Sequence, residues 1–215
     1  MHPLFYYITD CNQFPGSRQE KELRMLAKIT ECAAAGVDYI QLREKDLSIR
    51  ALETLANQAM AAITVSSRTK LLINSRTDVA LACRAHGVHL PANDLSASEV
   101  RAIFVRGGVS APVVGVSAHS IAEVSSAEAQ GADFAVFAPV FEKAGEINSK
   151  GLEQLRKACH RPQASSASMP VLALGGITPA NARQCLEAGA AGIAAIRLFQ
   201  QNAVYQMVKK LPEDR

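Results

Sequence analysis

Eight apolar runs of strand length, each followed by a segment with helical spacing, constrain this chain more than any other feature. In order they are LFYYIT, VDYIQL, KLLIN, GVHL, VVGVS, FAVFAPV, VLALGG and GIAAI. None alternates cleanly with polar residues, so each reads as a strand buried on both faces. Between them, Leu23, Leu26, Ala27 and Ala33 share one helical face, with Gly36 placed for a left-handed cap. A second helix carries Leu52, Leu55, Ala56 and Ala59 after Ser48. Ser96 with Glu99, and Ser120 with Glu123, have capping-box spacing, and Thr178 before Pro179 marks a further helix start. Strand–helix alternation repeated eight times predicts an α/β fold, a single (β/α)8 TIM-barrel domain over residues 1–215. The alternative is an open doubly wound sheet, but the GxGxxG that would follow its first strand is absent.

With 48% hydrophobic residues the chain can bury a sizeable core, and no Pro/Gly/Ser-rich linker divides it. Its net charge of +3 is spread among interspersed signs, unlike the concentrated basic face of a nucleic-acid binder. No apolar run is long enough for a membrane span, and MHPLFYYITD lacks the charged and apolar regions of a signal peptide, so a cytoplasmic location is expected. Self-association into a homo-oligomer is left open. Five scattered cysteines without ligand spacing read as reduced, buried thiols.

In a barrel of this type functional groups sit at the C-terminal ends of the strands. Those ends are unusually polar here. Gly175 and Gly176 after strand seven leave backbone N–H groups open, and Ile196 and Arg197 close strand eight beside them, which predicts a phosphate cradle. Gln41, Arg43 and Lys45 alternate along the end of strand two and so point to one side, suiting an anionic group or a polar ring. The alternative is that Arg43 and Lys45 pair with Glu44 or Asp46. Asn74 and Ser75 end strand three, and Ser117 ends strand five, with His119 just beyond at a rim position suited to proton exchange. A structural histidine held by a loop carbonyl is the alternative for His119. His89, inside an apolar run, reads as a satisfied core histidine, whereas His2, His86 and His160 lack supporting context. Asp10 and Asp94 are carboxylates able to bind a hard cation such as Mg2+, or else turn and cap residues. Ser75 and Asp78 have capping-box spacing, so Ser75 is expected to start the third helix.

These strand ends in this order resemble the thiamine phosphate synthase/TenI superfamily, through YYITD, YIQLREKD, LLINSRTDVALA, HGVHLP, VGVSAHSIAEVSSAEAQGADFAVFAPVF, PVLALGGITPANA and GAAGIAAI. The resemblance implies a (β/α)8 barrel acting on a small phosphorylated substrate. It also implies one of two activities. The synthase joins a pyrimidine methyl diphosphate to a thiazole phosphate with Mg2+, whereas the TenI-type tautomerase moves a proton on a thiazole phosphate without a metal. By resemblance, Gln41, Arg43, Lys45 and Asn74 match the synthase's pyrimidine and diphosphate contacts, and Asp94 matches one of its magnesium carboxylates.

Three departures count against the synthase. Ser75 stands where it has its second magnesium aspartate, and Pro91 and Ala92 replace a Gly-Gln. Its Thr-Pro-Thr-Lys loop is missing, leaving Lys143 or Lys150 as candidates for the lysine. Arg197 departs from both activities, which usually have serine there. His119 matches the tautomerase acid/base. The leading expectation is therefore a TenI-like thiazole tautomerase, with thiamine phosphate synthase as the alternative and a non-catalytic phosphate-ligand-binding regulator as a third reading.

Overall fold

The computed structural model describes residues 2–63, 67–141, 149–161 and 168–213. Eight parallel strands close into a barrel in chain order. The first half runs β1 (Leu4–Ile8), α1 (Arg18–Ala34), β2 (Tyr39–Leu42), α2 (Ile49–Ala62), β3 (Lys70–Asn74), α3 (Thr77–Ala82), β4 (Gly87–Leu90) and α4 (Ala97–Arg106). The second runs β5 (Val113–Ala118), α5 (Ile121–Ala129), β6 (Phe134–Phe137), α6 (Ser149–Cys159), β7 (Val171–Ala173), α7 (Ala182–Glu187) and β8 (Gly192–Ala195), then α8 (Arg197–Gln200) and α9 (Val204–Glu213). The fold is the expected TIM barrel, with a four-residue α8 and an additional α9 after the last strand. Among the described residues no helix is long and apolar enough to cross a membrane.

Strand periodicity sorts the side chains into two cores. Outward residues such as Phe5, Tyr7, Ile40, Leu42, Leu71, Ile73, Val88 and Leu90 meet the helices in one cluster. Inward residues, Tyr6, Ile8, Leu72, Phe134, Val136, Leu172 and Ala194, fill the barrel in another. Tyr6 packs edge-on against Phe134 at 5.3 Å and Tyr39 at 5.9 Å between ring centroids, so the lower barrel is solid. The register continues the inward set upward through Gln41, Asn74, His89 and Ser117, because Gln41 lies beside Leu72, Asn74 beside His89, and Ser117 beside Val136. The apolar floor thus carries a polar upper layer.

Several helix starts are as expected. Ser96 and Glu99 form a reciprocal capping box, Ser48 and Ser120 accept N–H bonds from the first turns of α2 and α5, and Gly36 takes φ +83 just past α1. Two differ. Ser75 does not cap α3: its N–H still bonds His89 O in the barrel ladder, its φ is +61, and Arg76 holds the cap position without a side-chain bond. An N-cap needs extended backbone, which this left-handed turn precludes, and Asp78 pairs with Arg76 instead. Likewise α7 starts at Ala182, not at Pro179, because Asn181 accepts from Thr178 N at 2.7 Å and donates to Gly176 O at 3.1 Å. Those bonds hold residues 176–181 as a turn.

Candidate active site

At the C-terminal mouth, β2 supplies a graded series from interior to solvent. Gln41 is 1% exposed and donates its amide to the Tyr6 hydroxyl at 3.1 Å, Arg43 is half-buried, and Lys45 is exposed. Neither cation forms an ion pair among the described residues. The pairing with Glu44 is ruled out by that carboxylate's own partners. Glu44, 9% exposed, accepts from Thr9 Oγ1 at 2.6 Å and from Cys11 N at 3.1 Å. Thr9 Oγ1 accepts in turn from Arg43 N at 3.0 Å. Glu44 and Thr9 therefore brace the loop that presents Arg43 and Lys45, a role sequence reasoning missed. Arg43 to Lys45 lie beyond the end of β2 at Leu42, and the partners of Glu44 are more than thirty residues away in sequence, so no local pattern signals its role.

Asn74 ends β3 half-buried on the inward face, and beyond it the chain turns through Ser75 toward Asp94. Ser75 Oγ donates to Asp94 Oδ2, while Leu95 N donates to Oδ1 at 2.8 Å. Each Asp94 oxygen keeps a free lone pair. Asp10, in contrast, is spent on a turn, capping residues 11–13 through Asn12 N and binding Gln13 Nε2. No group of three metal-binding side chains occurs among the described residues. One carboxylate with a neutral hydroxyl beside it still fits Mg2+, which commonly takes one or two protein carboxylates and completes its shell with water and phosphate oxygens.

His89 is 3% exposed, with Nε2 2.9 Å from Ser117 Oγ and its ring 5.6 Å from that of Tyr6. Burial first, then the nearby Arg43 charge, push its pKa down to about 3, so the ring is neutral. The expectation of a satisfied core histidine holds for Nε2 only, because Nδ1 has no partner among the described residues. His119 lies exposed beyond β5, with Nδ1 2.7 Å from Ala138 O and its backbone N–H on Glu123. This is the loop-carbonyl contact of the structural alternative, yet it leaves Nε2 directed elsewhere.

Across the mouth, Leu174 to Pro179 and Ala195 to Leu198, with Gln201 and Asn202, line a cavity of about 290 Å³. Among the described residues the N–H groups of Gly175, Gly176 and Ile196 have no acceptor. Gly175 sits at φ +106, and a Cβ there would come 2.9 Å from Pro139 Cα, so only glycine brings this amide to the rim. Arg197, exposed, lines the same cavity. His119 does not. Lys143 lies outside the described residues, and Lys150 is exposed near the start of α6.

The family described as thiamine monophosphate synthase matches residues 5–199. The chain belongs to this family, one of thiamine-biosynthesis enzymes. A protein of Methanoculleus marisnigri named thiamine-phosphate synthase is 37% identical over 89% of this chain and 84% of its own length. A relative from Geobacter sulfurreducens, provisionally given the same name, is 41% identical over 89% of this chain and 84% of its own. Among solved structures, the thiamine phosphate pyrophosphorylase of Pyrococcus furiosus superposes with a TM-score of 0.77 at 28% identity, over 99% of this chain and 95% of that one. The Pyrococcus furiosus protein thus shares this barrel along nearly the whole chain.

Proposed function

We propose that the chain is a thiamine phosphate synthase, joining a pyrimidine methyl diphosphate to a thiazole phosphate with release of diphosphate. This reverses the order of the two activities expected from sequence, because the relatives that match nearly end to end carry the synthase name. The structural observation that supports it is the presence of two anion-accepting subsites on one barrel mouth. Arg43 and Lys45 after β2 carry two cations without ionic partners among the described residues, and the glycine amides and Arg197 form the second subsite at β7 and β8. Two phosphorylated substrates need both.

In this reading Gln41 and Asn74 hold the pyrimidine end, Arg43, Lys45 and Ser117 bind its diphosphate, and Gly175, Gly176, Ile196 and Arg197 hold the thiazole phosphate. The methylene carbon–oxygen bond breaks with its electron pair going to diphosphate, and the thiazole nitrogen lone pair forms the new carbon–nitrogen bond. Preorganised cations at the leaving group stabilise charge as it develops. Asp94 would hold the Mg2+ of the synthase reaction, which would supply further neutralisation of that charge, and Ser75 braces this carboxylate through its hydroxyl.

The test is turnover with each substrate set, in Mg2+ and in EDTA. Diphosphate release that needs Mg2+ is expected. EDTA-insensitive thiazole aromatisation without diphosphate release would overturn the proposal in favour of the tautomerase, for which the supporting observation is that the Ala138 carbonyl takes Nδ1 of the exposed His119 rather than Nε2.

A further inference from the structure

His89 Nδ1 is a buried polar atom left without a partner in a site that already holds four polar side chains. The space around it accounts for this. A Cβ added at Gly115 would lie 2.9 Å from Nδ1 and 2.5 Å from the Phe134 ring, so Nδ1 abuts the glycine α-carbon beside an aromatic wall. No polar group reaches it there.

A neutral imidazole has one N–H and one lone pair, and the two ways of placing them differ in cost. With the proton on Nδ1, a donor would be orphaned in an apolar contact, which native structures almost never show. With the proton on Nε2, only a lone pair is orphaned, and the N–H is used on Ser117. Desolvation and the Arg43 charge keep the second proton off the ring, so these two tautomers exhaust the choices.

We propose that His89 is a positioning residue that, as the Nε2–H tautomer, donates to Ser117 Oγ and thereby turns the Ser117 hydroxyl proton into the barrel mouth as a donor to bound ligand. Ser117 is half-buried, and its other contacts with the described residues include no hydrogen bond. With one lone pair taken by His89, its O–H points away from the imidazole toward the face that Gln41 and Arg43 border. A hydroxyl without this neighbour rotates and donates or accepts indifferently. With it, the mouth presents a fixed donor, matched to an acceptor such as a phosphoryl oxygen. The ligand side of this inference rests on the synthase reading, and the tautomer side does not.

Nitrogen-15 NMR of the histidine rings in the purified full-length protein, at neutral pH, reads the tautomer directly. The expected signature for His89 is protonated Nε2 and bare Nδ1, and the reverse overturns the inference. Inorganic diphosphate with Mg2+, titrated by calorimetry, reads the consequence. His89→Leu is expected to weaken binding about tenfold, the scale of one lost charge-assisted hydrogen bond. His89→Gln, whose amide nitrogen occupies the Nε2 position, should restore it to within about twofold. Equal binding by wild type and His89→Leu, or no rescue by Gln, refutes the positioning role. If His89→Leu does not fold, the tautomer and the Gln variant decide. An active enzyme with the Nδ1–H tautomer sinks this inference alone, whereas the Nε2–H tautomer in a protein without Mg2+-dependent turnover sinks the synthase reading alone.

Discussion

Replacing His89 by glutamine should remove a pH dependence of stability that the wild-type protein carries. In the folded barrel His89 stays neutral until about pH 3, because burial and the Arg43 charge disfavour the imidazolium. In the unfolded chain it takes up a proton near its ordinary value of about 6.5. As pH falls below that value the unfolded state binds the proton first, so folding stability drops through the window from about 6.5 toward 3. Each pH unit inside the window costs about 1.4 kcal/mol, so about 2 kcal/mol is lost between pH 7.5 and pH 5. Glutamine does not titrate, and every other ionisable group is common to both proteins. The difference between their urea-unfolding free energies therefore isolates His89 and should shift by about 2 kcal/mol in favour of the variant at pH 5 relative to pH 7.5. In thermal scans this equals roughly 4–8 °C. Parallel curves across that range would mean that the imidazole is solvated or charged in the native barrel, and would remove the basis for its neutral tautomer.

Three further outcomes follow from the same geometry. Gly115→Ala forces a methyl group against Phe134 and His89 and should cost about 1–3 kcal/mol in urea unfolding, with unchanged stability contradicting the tight interior packing. Ser75→Asp places a second carboxylate beside Asp94 at a φ that aspartate tolerates. It should lower the melting temperature in EDTA and give a larger Mg2+-induced rise than wild type, and an identical Mg2+ response would disprove Asp94 as the cation site. Arg197→Ser should weaken inorganic phosphate binding by about three- to tenfold and flatten its salt dependence, whereas unchanged affinity would place this guanidinium outside the cradle.

Much of this was legible before any coordinates. The strand runs, the Ser96 capping box and the glycine pair after β7 are local signals, and the fold has each of them in the expected place. The helix starts expected at Ser75 and Thr178 differ from the observed ones, because residue type at a helix start does not reveal what the backbone there is bonded to. At Ser75 the barrel ladder continued one residue further, through Ser75 N to His89 O, and forced a left-handed turn. Ser75 counted against the synthase because a neutral hydroxyl replaces a carboxylate there, whereas its bond to Asp94, 19 residues away in sequence, is visible only in the folded barrel.

The order of apolar runs, with the absence of a GxGxxG after the first of them, led to the closed eight-stranded barrel that the structure has. Periodicity is a property of neighbours along the chain, and the backbone turns it directly into which way each side chain faces. What Glu44, Ser75 and His89 do was decided only by closure of the barrel. Their partners come from other strands and loops, and only there does burial become total enough to leave Nδ1 without a contact, neutralise the ring beside Arg43 and spend a glutamate on a loop.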